Sequence, residues 1–272
     1  MPELPEVETT VRGLETVLKG RRLARVELRR GDLRRPFPAD LGQRLTGARV
    51  VGLGRRAKYG LIETDRGDTL IFHLGMSGRW RIDPAEIGPH DHVLIDTDDG
   101  RRLSLNDPRR FGSLDLVATD AVATWPAFRA LGPEPLGDAI DGKWLRAKFA
   151  GRSAAVKLLL LDQRVVAGLG NIYVCEALFR AGIDPRKAAG KVGRARLDAL
   201  ARAIPAVLGE AIEAGGSSLR NFAAPDGELG YFSKQFDVYG REGKPCRGGC
   251  GGIVRRIVQG GRSTFHCPGC QR

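Results

Sequence analysis

The sequence lacks the features that mark membrane-spanning, secreted and disulfide-stapled proteins. None of its apolar runs approaches the ~20 residues that a helix needs to cross a bilayer. Its start has neither the basic residues nor the apolar stretch of a signal peptide. It has five cysteines, and four of them lie between positions 246 and 270, which disfavours a disulfide framework. These absences make the cytosol the expected location. The chain shows no internal repeat, and its 272 residues are enough for two domains with real cores.

The chain is also short of acidic residues relative to basic ones. It has 32 Asp and Glu against 44 Lys and Arg, which gives a formal net charge of +12 and an isoelectric point near 10.0. Such an excess attracts polyanions, of which nucleic acid is the first candidate and an anionic membrane surface the second. A generally basic surface without a specific partner stays open as an alternative.

The order of patterns along the chain predicts an α+β protein of several parts. Apolar residues recur at helical spacing from Val7 to Leu18, and Gly20 is placed to end that helix. From position 21 to about 118, short β-rich runs alternate with Gly, Asp and Pro, which favours an antiparallel sandwich or barrel. The stretch RALGPEPLGDAIDG is typical of a linker. Helices are expected after it at about 142–150, 154–161, 172–181 and 193–214.

Four cysteines form two closely spaced pairs near the end of the chain. They lie in CRGGC and CPGC and are Cys246, Cys250, Cys267 and Cys270. Each pair fits a tight turn, and together they predict a closed tetrahedral Zn²⁺ site that is structural rather than catalytic. The first pair has the spacing C-x3-C where C-x2-C is usual. A predicted hairpin between the pairs carries Arg255, Arg256 and Arg262, which suit a groove or phosphate contact. The alternative is that the metal site only stabilises the fold and that these arginines are solvated.

The segment GLGNIYVCEALF places a Gly-x-Gly turn directly before a helical pattern. Gly168 and Gly170 let a ligand approach the backbone, and Asn171 stands at the expected N-cap, where free N–H groups suit a phosphate. Glycine also joins many helix pairs without any ligand, so the motif is weak by itself. Cys175 lies on the expected buried face of this helix and is interpreted as a core residue.

Two predicted turns of the β-rich part carry side chains that a core does not explain. In HLGMSG, Met76 stands between glycines without surrounding apolar periodicity. In NDPRRFG, Arg109 and Phe111 follow an Asp-Pro turn signal. An exposed Phe beside Arg is suited to wedging into a base stack and pairing with an orphaned base. The motif RRAKYG adds Lys58 on a predicted strand, where a solvated charge is the ordinary interpretation.

The chain resembles the bacterial formamidopyrimidine-DNA glycosylase family over its whole length. The resemblance rests on PELPEVET, RRAKYG, HLGMSG, HDHV, DPRRFG, LGPEPL, GLGNIY, YGR and the cysteine hairpin, in that order. It implies an N-terminal antiparallel β-sandwich with an N-terminal helix, a helical domain with a helix–two-turn–helix motif, and a terminal zinc-finger β-hairpin. The implied boundaries are 2–125 for the sandwich domain, 126–150 for the linker and start of the helical domain, 151–234 for the helix–two-turn–helix domain, and 235–272 for the zinc finger.

The resemblance also implies an activity and a set of functional residues. Such an enzyme is a bacterial, cytoplasmic, nucleoid-associated monomer that removes 8-oxoguanine and formamidopyrimidines opposite cytosine from double-stranded DNA, followed by β,δ-elimination. By position, Pro2 corresponds to the Schiff-base nucleophile and Glu3 to the proton donor of the glycosylase step. Lys58 and Arg262 correspond to the general acids of β- and δ-elimination. The implied DNA contacts are His90, Arg109, Arg152, Asn171 and Lys58, and the residues that fill the void of a flipped base are Met76, Arg109 and Phe111. The Gly- and Ser-rich segment 215–230 has the composition of a mobile lid.

The chemistry of an N-terminal proline agrees with that role. Trimming of Met1 would expose the secondary amine of Pro2, whose pKa a helix N-terminus and nearby cations would lower from the ordinary value of about 8. A secondary amine that attacks sugar C1′ gives an iminium ion, which keeps its charge without a proton and is an electron sink for loss of the 3′ and 5′ phosphates. Glu3 can protonate the sugar ring oxygen. Ordinary helix-start chemistry explains Pro5 and Glu6 but not Pro2.

Three other interpretations stay open on the sequence. An endonuclease VIII-like glycosylase for oxidised pyrimidines shares the Pro-Glu start and the finger, but it usually has Gly where this chain has Leu4, and it lacks the Met/Arg/Phe trio. A non-catalytic damaged-DNA-binding protein would not need Pro2, Glu3 and Lys58 intact. A general zinc-ribbon nucleic-acid binder leaves the first ten residues unexplained.

Overall fold

The computed structural model describes residues 2–137, 140–217, 224–227 and 230–272. The chain divides into two units. The sandwich unit consists of Met1–Arg129 and Ala214–Tyr231, and the helical unit consists of Ala130–Glu213 and Phe232–Arg272. Among the described residues, no helix combines the length and the apolar character that crossing a membrane requires.

In the residues that the structure describes, the sandwich unit is built from two four-stranded antiparallel sheets. Its helices are α1 (Leu4–Leu18), α2 (Leu41–Leu45) and α3 (Pro126–Arg129), with a 3-10 helix at Thr119–Thr124. Its strands are β1 (Leu23–Leu28), β2 (Val50–Arg56), β3 (Tyr59–Thr64), β4 (Asp68–His73), β5 (Arg79–Ile82), β6 (Asp91–Thr97), β7 (Arg102–Asn106) and β8 (Ser113–Ala118). The strand orders are β1-β6-β7-β5 and β2-β3-β4-β8. The predicted antiparallel sandwich is therefore confirmed.

The two sheets and α1 share one apolar core. Phe72 of β4 meets Trp80 of β5 edge to face, with ring centroids 5.8 Å apart. Helix α1 adds Val7, Val11 and Leu14, whose i, i+4, i+7 spacing places them on one face. Each such buried side chain contributes roughly 1.5–3 kcal/mol. The helix predicted from this periodicity is confirmed, and its buried face fixes the helix N-terminus against the sandwich.

Register places four positions of the second sheet side by side, one on each strand. Arg56 of β2 pairs with Tyr59 of β3, so two residues, Ala57 and Lys58, close the hairpin. Tyr59 pairs in turn with His73 at the end of β4, and His73 pairs with Ser113 of β8. The Lys58 turn and the loops that follow β4 and precede β8 therefore lie at one end of the sheet.

The described part of the helical unit contains four helices and a two-stranded hairpin. The helices are α4 (Gly142–Phe149), α5 (Val156–Leu160), α6 (Asn171–Arg180) and α7 (Arg194–Glu213), with 3-10 helices at Ala189–Lys191 and Phe232–Gln235. The strands are β9 (Arg255–Gln259) and β10 (Arg262–His266), antiparallel to each other. The four predicted helices are all present, each with bounds within about two residues of those expected. Cys175 is buried against Val238, Val254 and Phe265, so its interpretation as a core residue is confirmed.

Candidate active site and metal centre

The start of α1 holds a buried proline and two buried carboxylates. Pro2 is buried, and Glu3 and Glu6 are each only 2% exposed. The Glu3 backbone N–H donates to Glu6 Oε2 at 2.8 Å, which is one half of a capping box. Glu6 Oε1 accepts both the N–H and the hydroxyl of Ser217, at 2.9 and 2.8 Å. The carboxylate of Glu6 thus fixes the backbone that carries Pro2 and Glu3, and it ties this backbone to the chain at Ser217.

Lys58 lies in the turn between β2 and β3, one residue before the strand on which it was predicted. The prediction of a strand at Lys58 was wrong. A two-residue hairpin turn needs a positive φ at its first central position, which glycine usually supplies. Here Ala57 takes that position, at φ +52°, so the sequence has no glycine to indicate the turn. Lys58 is 8% exposed. Burial, and after it the charge of Lys58, lowers the pKa of His73 to about 4. His73 is therefore neutral near pH 7.

A basic cavity adjoins this turn. It has a volume of about 360 Å³ and is lined by Arg34, Arg35, Tyr59, His73 and Ser113. Arg35 is paired with Asp115, and burial raises the pKa of Tyr59. The guanidinium groups and neutral ring donors favour an anionic occupant, which agrees with a DNA backbone near Lys58.

Two loops of the sandwich unit are joined through one buried carboxylate. Asp107 is fully buried, and its carboxylate accepts hydrogen bonds from the Ser77 hydroxyl at 2.7 Å and from the Gly112 N–H at 2.8 Å. The Arg109 N–H donates to the same Ser77 hydroxyl at 3.3 Å. A Cβ added at Gly75 would lie 2.3 Å from the Phe111 carbonyl carbon, so the two loops touch through backbone and the position requires glycine. The loop with Met76 and the loop with Arg109 and Phe111 are thus fixed to each other by these contacts.

The three side chains predicted to enter DNA are exposed on these joined loops. Met76 is 38% exposed and Phe111 is 44% exposed. The Arg109 guanidinium carbon lies 4.8 Å from the centre of the Phe111 ring, a cation–π distance. His90 is exposed as well, and its carbonyl accepts the Asp107 N–H at 2.9 Å. The structure therefore brings Met76, Arg109, Phe111 and His90 to one surface around Asp107.

In the helical unit, the Gly-x-Gly motif differs in detail from the expectation. Gly170 is the N-cap of α6, and Asn171 is the first residue inside the helix rather than its cap. The Gly168 N–H is already donated to Gln163 Oε1 at 2.9 Å. The Asn171 side chain instead donates to the Ser263 carbonyl at 2.8 Å. Arg152 is exposed beyond the end of α4, separate from this contact.

Arg262 is exposed at the first position of β10, opposite Gln259, and the carbonyl of its neighbour Ser263 accepts hydrogen bonds from two donors. One is the amide of Asn171. The other is Lys157 of α5, which is fully buried and donates to Thr264 Oγ1 at 2.6 Å and to the Ser263 carbonyl at 3.2 Å. These contacts attach the hairpin to α5 and α6, so the backbone of Arg262 is fixed although its side chain is exposed.

The four cysteines converge despite the unusual C-x3-C spacing. Their Sγ atoms, on Cys246, Cys250, Cys267 and Cys270, all lie within 4.8 Å of one another. Tetrahedral Zn–S bonds of about 2.3 Å would put sulfurs ~3.8 Å apart. A Cβ added at Gly248 would lie 2.9 Å from Cys270 Sγ, so the first knuckle needs glycine to pass the sulfurs. The donor set and its spacing fit a metal ion held by four thiolates.

The acidity of the thiols supports metal binding at this cluster. A hydrogen bond from the Gly252 N–H lowers the pKa of Cys250 to about 7, while the adjacent Cys250 sulfur raises the pKa of Cys270 to about 12. One thiolate therefore suppresses ionisation of the next. A dication that binds all four thiolates removes this conflict, which is how metal binding and thiol deprotonation are linked.

Several charged residues that organise the site were missed in the sequence. They are Glu6, Arg55, Asp107, Lys157 and Glu176. Glu176 is fully buried in α6 and accepts the backbone N–H groups of residues 237–239 at 2.8–3.0 Å. Burial raises the pKa of this carboxyl even though three donors favour its charged form. Only a charged residue on the apolar face of a helix could have signalled Glu176 and Lys157. Of the predicted lid, residues 218–223 and 228–229 lie outside the described residues.

Comparison with known proteins gives one consistent result along the chain. Models of the formamidopyrimidine-DNA glycosylase N-terminal domain and of the formamidopyrimidine-DNA glycosylase H2TH domain match residues 1–114 and 131–223. The curated formamidopyrimidine-DNA glycosylase of Novosphingobium aromaticivorans is 67% identical over 272 residues, which cover 100% of both chains.

Two solved structures extend the similarity to the fold. One is a Lactococcus lactis FPG mutant in complex with a DNA that contains Fapy-dG. It superposes with a TM-score of 0.92 at 36% identity, covering 100% of both chains. The other is the MutM (FPG) protein of Thermus thermophilus, with a TM-score of 0.89 at 40% identity over 99% of this chain and 98% of that chain.

Proposed function

Because the chain belongs to the formamidopyrimidine-DNA glycosylase family, we propose that it is a bifunctional glycosylase and AP lyase of base excision repair. Its substrates would be 8-oxoguanine and formamidopyrimidines opposite cytosine in double-stranded DNA. The observation that carries the proposal is the buried Pro2 beside the buried Glu3 carboxylate at the start of α1. The Lactococcus lactis relative was crystallised with a Fapy-dG-containing DNA, which supports the same class of ligand here.

The first chemical stage belongs to Pro2 and Glu3. The Pro2 nitrogen lone pair attacks C1′ of the damaged nucleotide, and the bond from C1′ to the base breaks. The departing base takes the electron pair of that bond and gains a proton, which balances the proton that the Pro2 nitrogen loses. Glu3 protonates the ring oxygen as the C1′–O4′ bond opens, which leaves a cationic iminium between Pro2 and C1′. The helix N-terminus disfavours the protonated amine and so favours the nucleophilic form of Pro2. The hydrogen bonds of Glu6 to the backbones of Glu3 and Ser217 hold this arrangement.

The second stage is elimination. The iminium acidifies C2′, whose proton leaves to solvent while the C3′–O3′ bond breaks, and Lys58 supplies a proton to the departing 3′ phosphate. In the second elimination the proton on C4′ leaves to solvent while the C5′–O5′ bond breaks, and Arg262 is the general acid for the departing 5′ phosphate. The burial of Lys58 supports its role as a proton donor rather than a solvated charge.

DNA binding would use the basic surface. Lys58, His90, Arg109, Arg152 and Asn171 would contact the DNA. Met76 and Phe111 would fill the space left by the flipped base, and Arg109 would offer parallel donors to O2 and N3 of the orphaned cytosine. The exposure of Met76 and Phe111 on loops joined through Asp107 supports this role. Adenine presents no comparable pair of acceptors, so excision opposite adenine should be much slower.

We further propose that the ion at the four cysteines is one structural Zn²⁺ per chain. When bound, it would cross-link the two knuckles and so fix the hairpin that carries Arg262. Cys267→Ser should lose zinc and DNA binding together. The domain division 2–125, 126–150, 151–234 and 235–272, and action as a monomer, are proposed on the same family basis.

The test is borohydride trapping on lesion-containing duplexes. A covalent protein–DNA adduct is expected on 8-oxoguanine opposite cytosine, with the modified residue identified as Pro2 by peptide mass spectrometry. Pro2→Gly should impair the reaction, and an N-terminal tag should abolish it. Attachment at Lys58 with Pro2 dispensable would reject the mechanism, and a strong preference for thymine glycol would instead indicate an endonuclease VIII-like specificity.

A further inference from the structure

The turn that carries Lys58 is held in a conformation that its sequence does not favour. Ala57, at φ +52°, lies in the left-handed region, which costs a residue with a Cβ about 1–2 kcal/mol. Ala57 is also buried, at 1% exposed. A strained, buried alanine in a two-residue turn persists only when its surroundings fix the turn.

Arg55 is the side chain that reaches this turn from the strand before it. Its guanidinium donates from Nη1 to the Ala57 carbonyl at 2.9 Å and from Nε to Glu8 Oε2 at 2.9 Å. The side chain is only 8% exposed, so neither bond is shared freely with water. One planar group therefore bridges the backbone of the turn and a carboxylate of α1.

Glu8 lies in the second turn of the helix that begins with the proposed catalytic residues. Its other oxygen, Oε1, accepts Arg12 Nε at 2.9 Å on the exposed side. Glu8 is thus fixed by two arginines, of which only Arg55 also contacts the turn. A lysine at position 55 could not replace Arg55, because one ammonium does not have the two divergent, fixed N–H directions of a guanidinium.

We propose that Arg55 and Glu8 are positioning residues that set Lys58 against the start of α1. This inference rests on the proposed function, in which Pro2 forms the Schiff base and Lys58 then protonates the leaving 3′ phosphate. Schiff-base formation depends on α1, whereas β-elimination depends on the turn. Loss of the Arg55 contact should therefore slow elimination while it spares covalent attachment.

The experiment compares two rates on a duplex with a preformed abasic site. One is the rate of borohydride-trapped adduct formation, and the other is single-turnover strand cleavage. Arg55→Met should slow cleavage roughly 10- to 100-fold, the usual effect of a misplacement of about 1 Å, and should leave trapping within about threefold of wild type. Arg55→Lys and the milder Glu8→Gln should likewise slow cleavage more than they slow trapping. The control is Arg12→Met, which removes the other cation from Glu8 and should leave both rates unchanged.

A second substitution separates positioning from general structural damage. Glycine adopts the φ of Ala57 without a Cβ penalty, so Ala57→Gly in the Arg55→Met background should restore several-fold of the lost cleavage. Equal loss of trapping and cleavage without that rescue would overturn the inference, as would wild-type cleavage by Arg55→Met. Failure of the wild-type protein to form any adduct would instead reject the proposed function.

Discussion

Replacement of Asp107 tests whether the two loops proposed to face DNA depend on one carboxylate. In Asp107→Ala the buried hydroxyl of Ser77 and the buried N–H of Gly112 both lose their acceptor. Each unsatisfied buried donor costs about 1–3 kcal/mol, so the free energy of unfolding should fall by about 2–6 kcal/mol. Asp107→Asn keeps one oxygen for Gly112 and can turn its amide toward the Ser77 hydroxyl, so its loss should be smaller. Urea unfolding monitored by tryptophan fluorescence measures the difference.

The same substitution should alter base discrimination before it alters lyase chemistry. The Arg109 N–H is bonded to Ser77, so loosening Ser77 frees the backbone of the residue proposed to read cytosine. Asp107→Asn and Ser77→Ala, which remove less than the whole contact and are expected to fold, should both reduce the preference for excision opposite cytosine over adenine. Cleavage of a preformed abasic site should change little. An unchanged preference in both variants, or an unfolding midpoint of Asp107→Ala equal to that of wild type, would refute this account of Asp107.

Three further outcomes are expected. In the folded protein the pKa of His73 is about 4, below its ordinary 6.5. As the pH falls below about 6.5, His73 therefore gains a proton in the unfolded chain but not in the folded protein, which favours unfolding. Stability should decline from there toward pH 4, and less steeply in His73→Gln, as urea midpoints measured against pH will show. Glu176→Gln replaces one acceptor oxygen with a donor facing the N–H groups of residues 237–239, and should cost about 1–3 kcal/mol and speed zinc release to a chromogenic chelator. Lys157→Met removes a donor that holds Ser263, the neighbour of Arg262, so the β-elimination product should accumulate over the δ-product on gels. The control Lys191→Met should not change that product ratio.

The parts of the fold that were predicted correctly depend on local patterns. Helix α1 follows from apolar residues on one face, and the cluster of four cysteines follows from two closely spaced pairs, because each signal occupies short stretches of chain. The exposed Met76 and Phe111 were recognised because their glycine-rich and Asp-Pro surroundings exclude a core strand. Errors arose where a boundary depends on one residue, as at Asn171 inside α6.

The residues that were missed act through partners far away in the chain. Glu6 bonds to Ser217 across 211 positions, and Lys157 bonds to Thr264 across 107 positions. No periodicity links such pairs, and a charged residue in a helix is ordinarily a solvated one. Only the folded register shows that these side chains are buried and which backbone groups they hold.

These missed residues share a physical task, which explains why they are charged. The proposed functional side chains lie on loops, strand ends and helix starts, where few apolar neighbours are available to fix the backbone. A guanidinium or carboxylate can instead bind a specific N–H or carbonyl, as Arg55 does at Ala57 and Asp107 does at Gly112. Burial of such a charge is costly, and removal of one partner costs more because the other stays buried and unpaired. A hydrogen bond to a charged side chain fixes the orientation of the backbone group, because hydrogen bonds weaken steeply when misaligned. An apolar contact does not fix that orientation. Substitutions at these residues should therefore change the relative rates of base release, β-elimination and δ-elimination. Substitutions at exposed arginines that would contact only phosphates should instead weaken DNA binding and reduce its salt dependence, and should leave those relative rates unchanged.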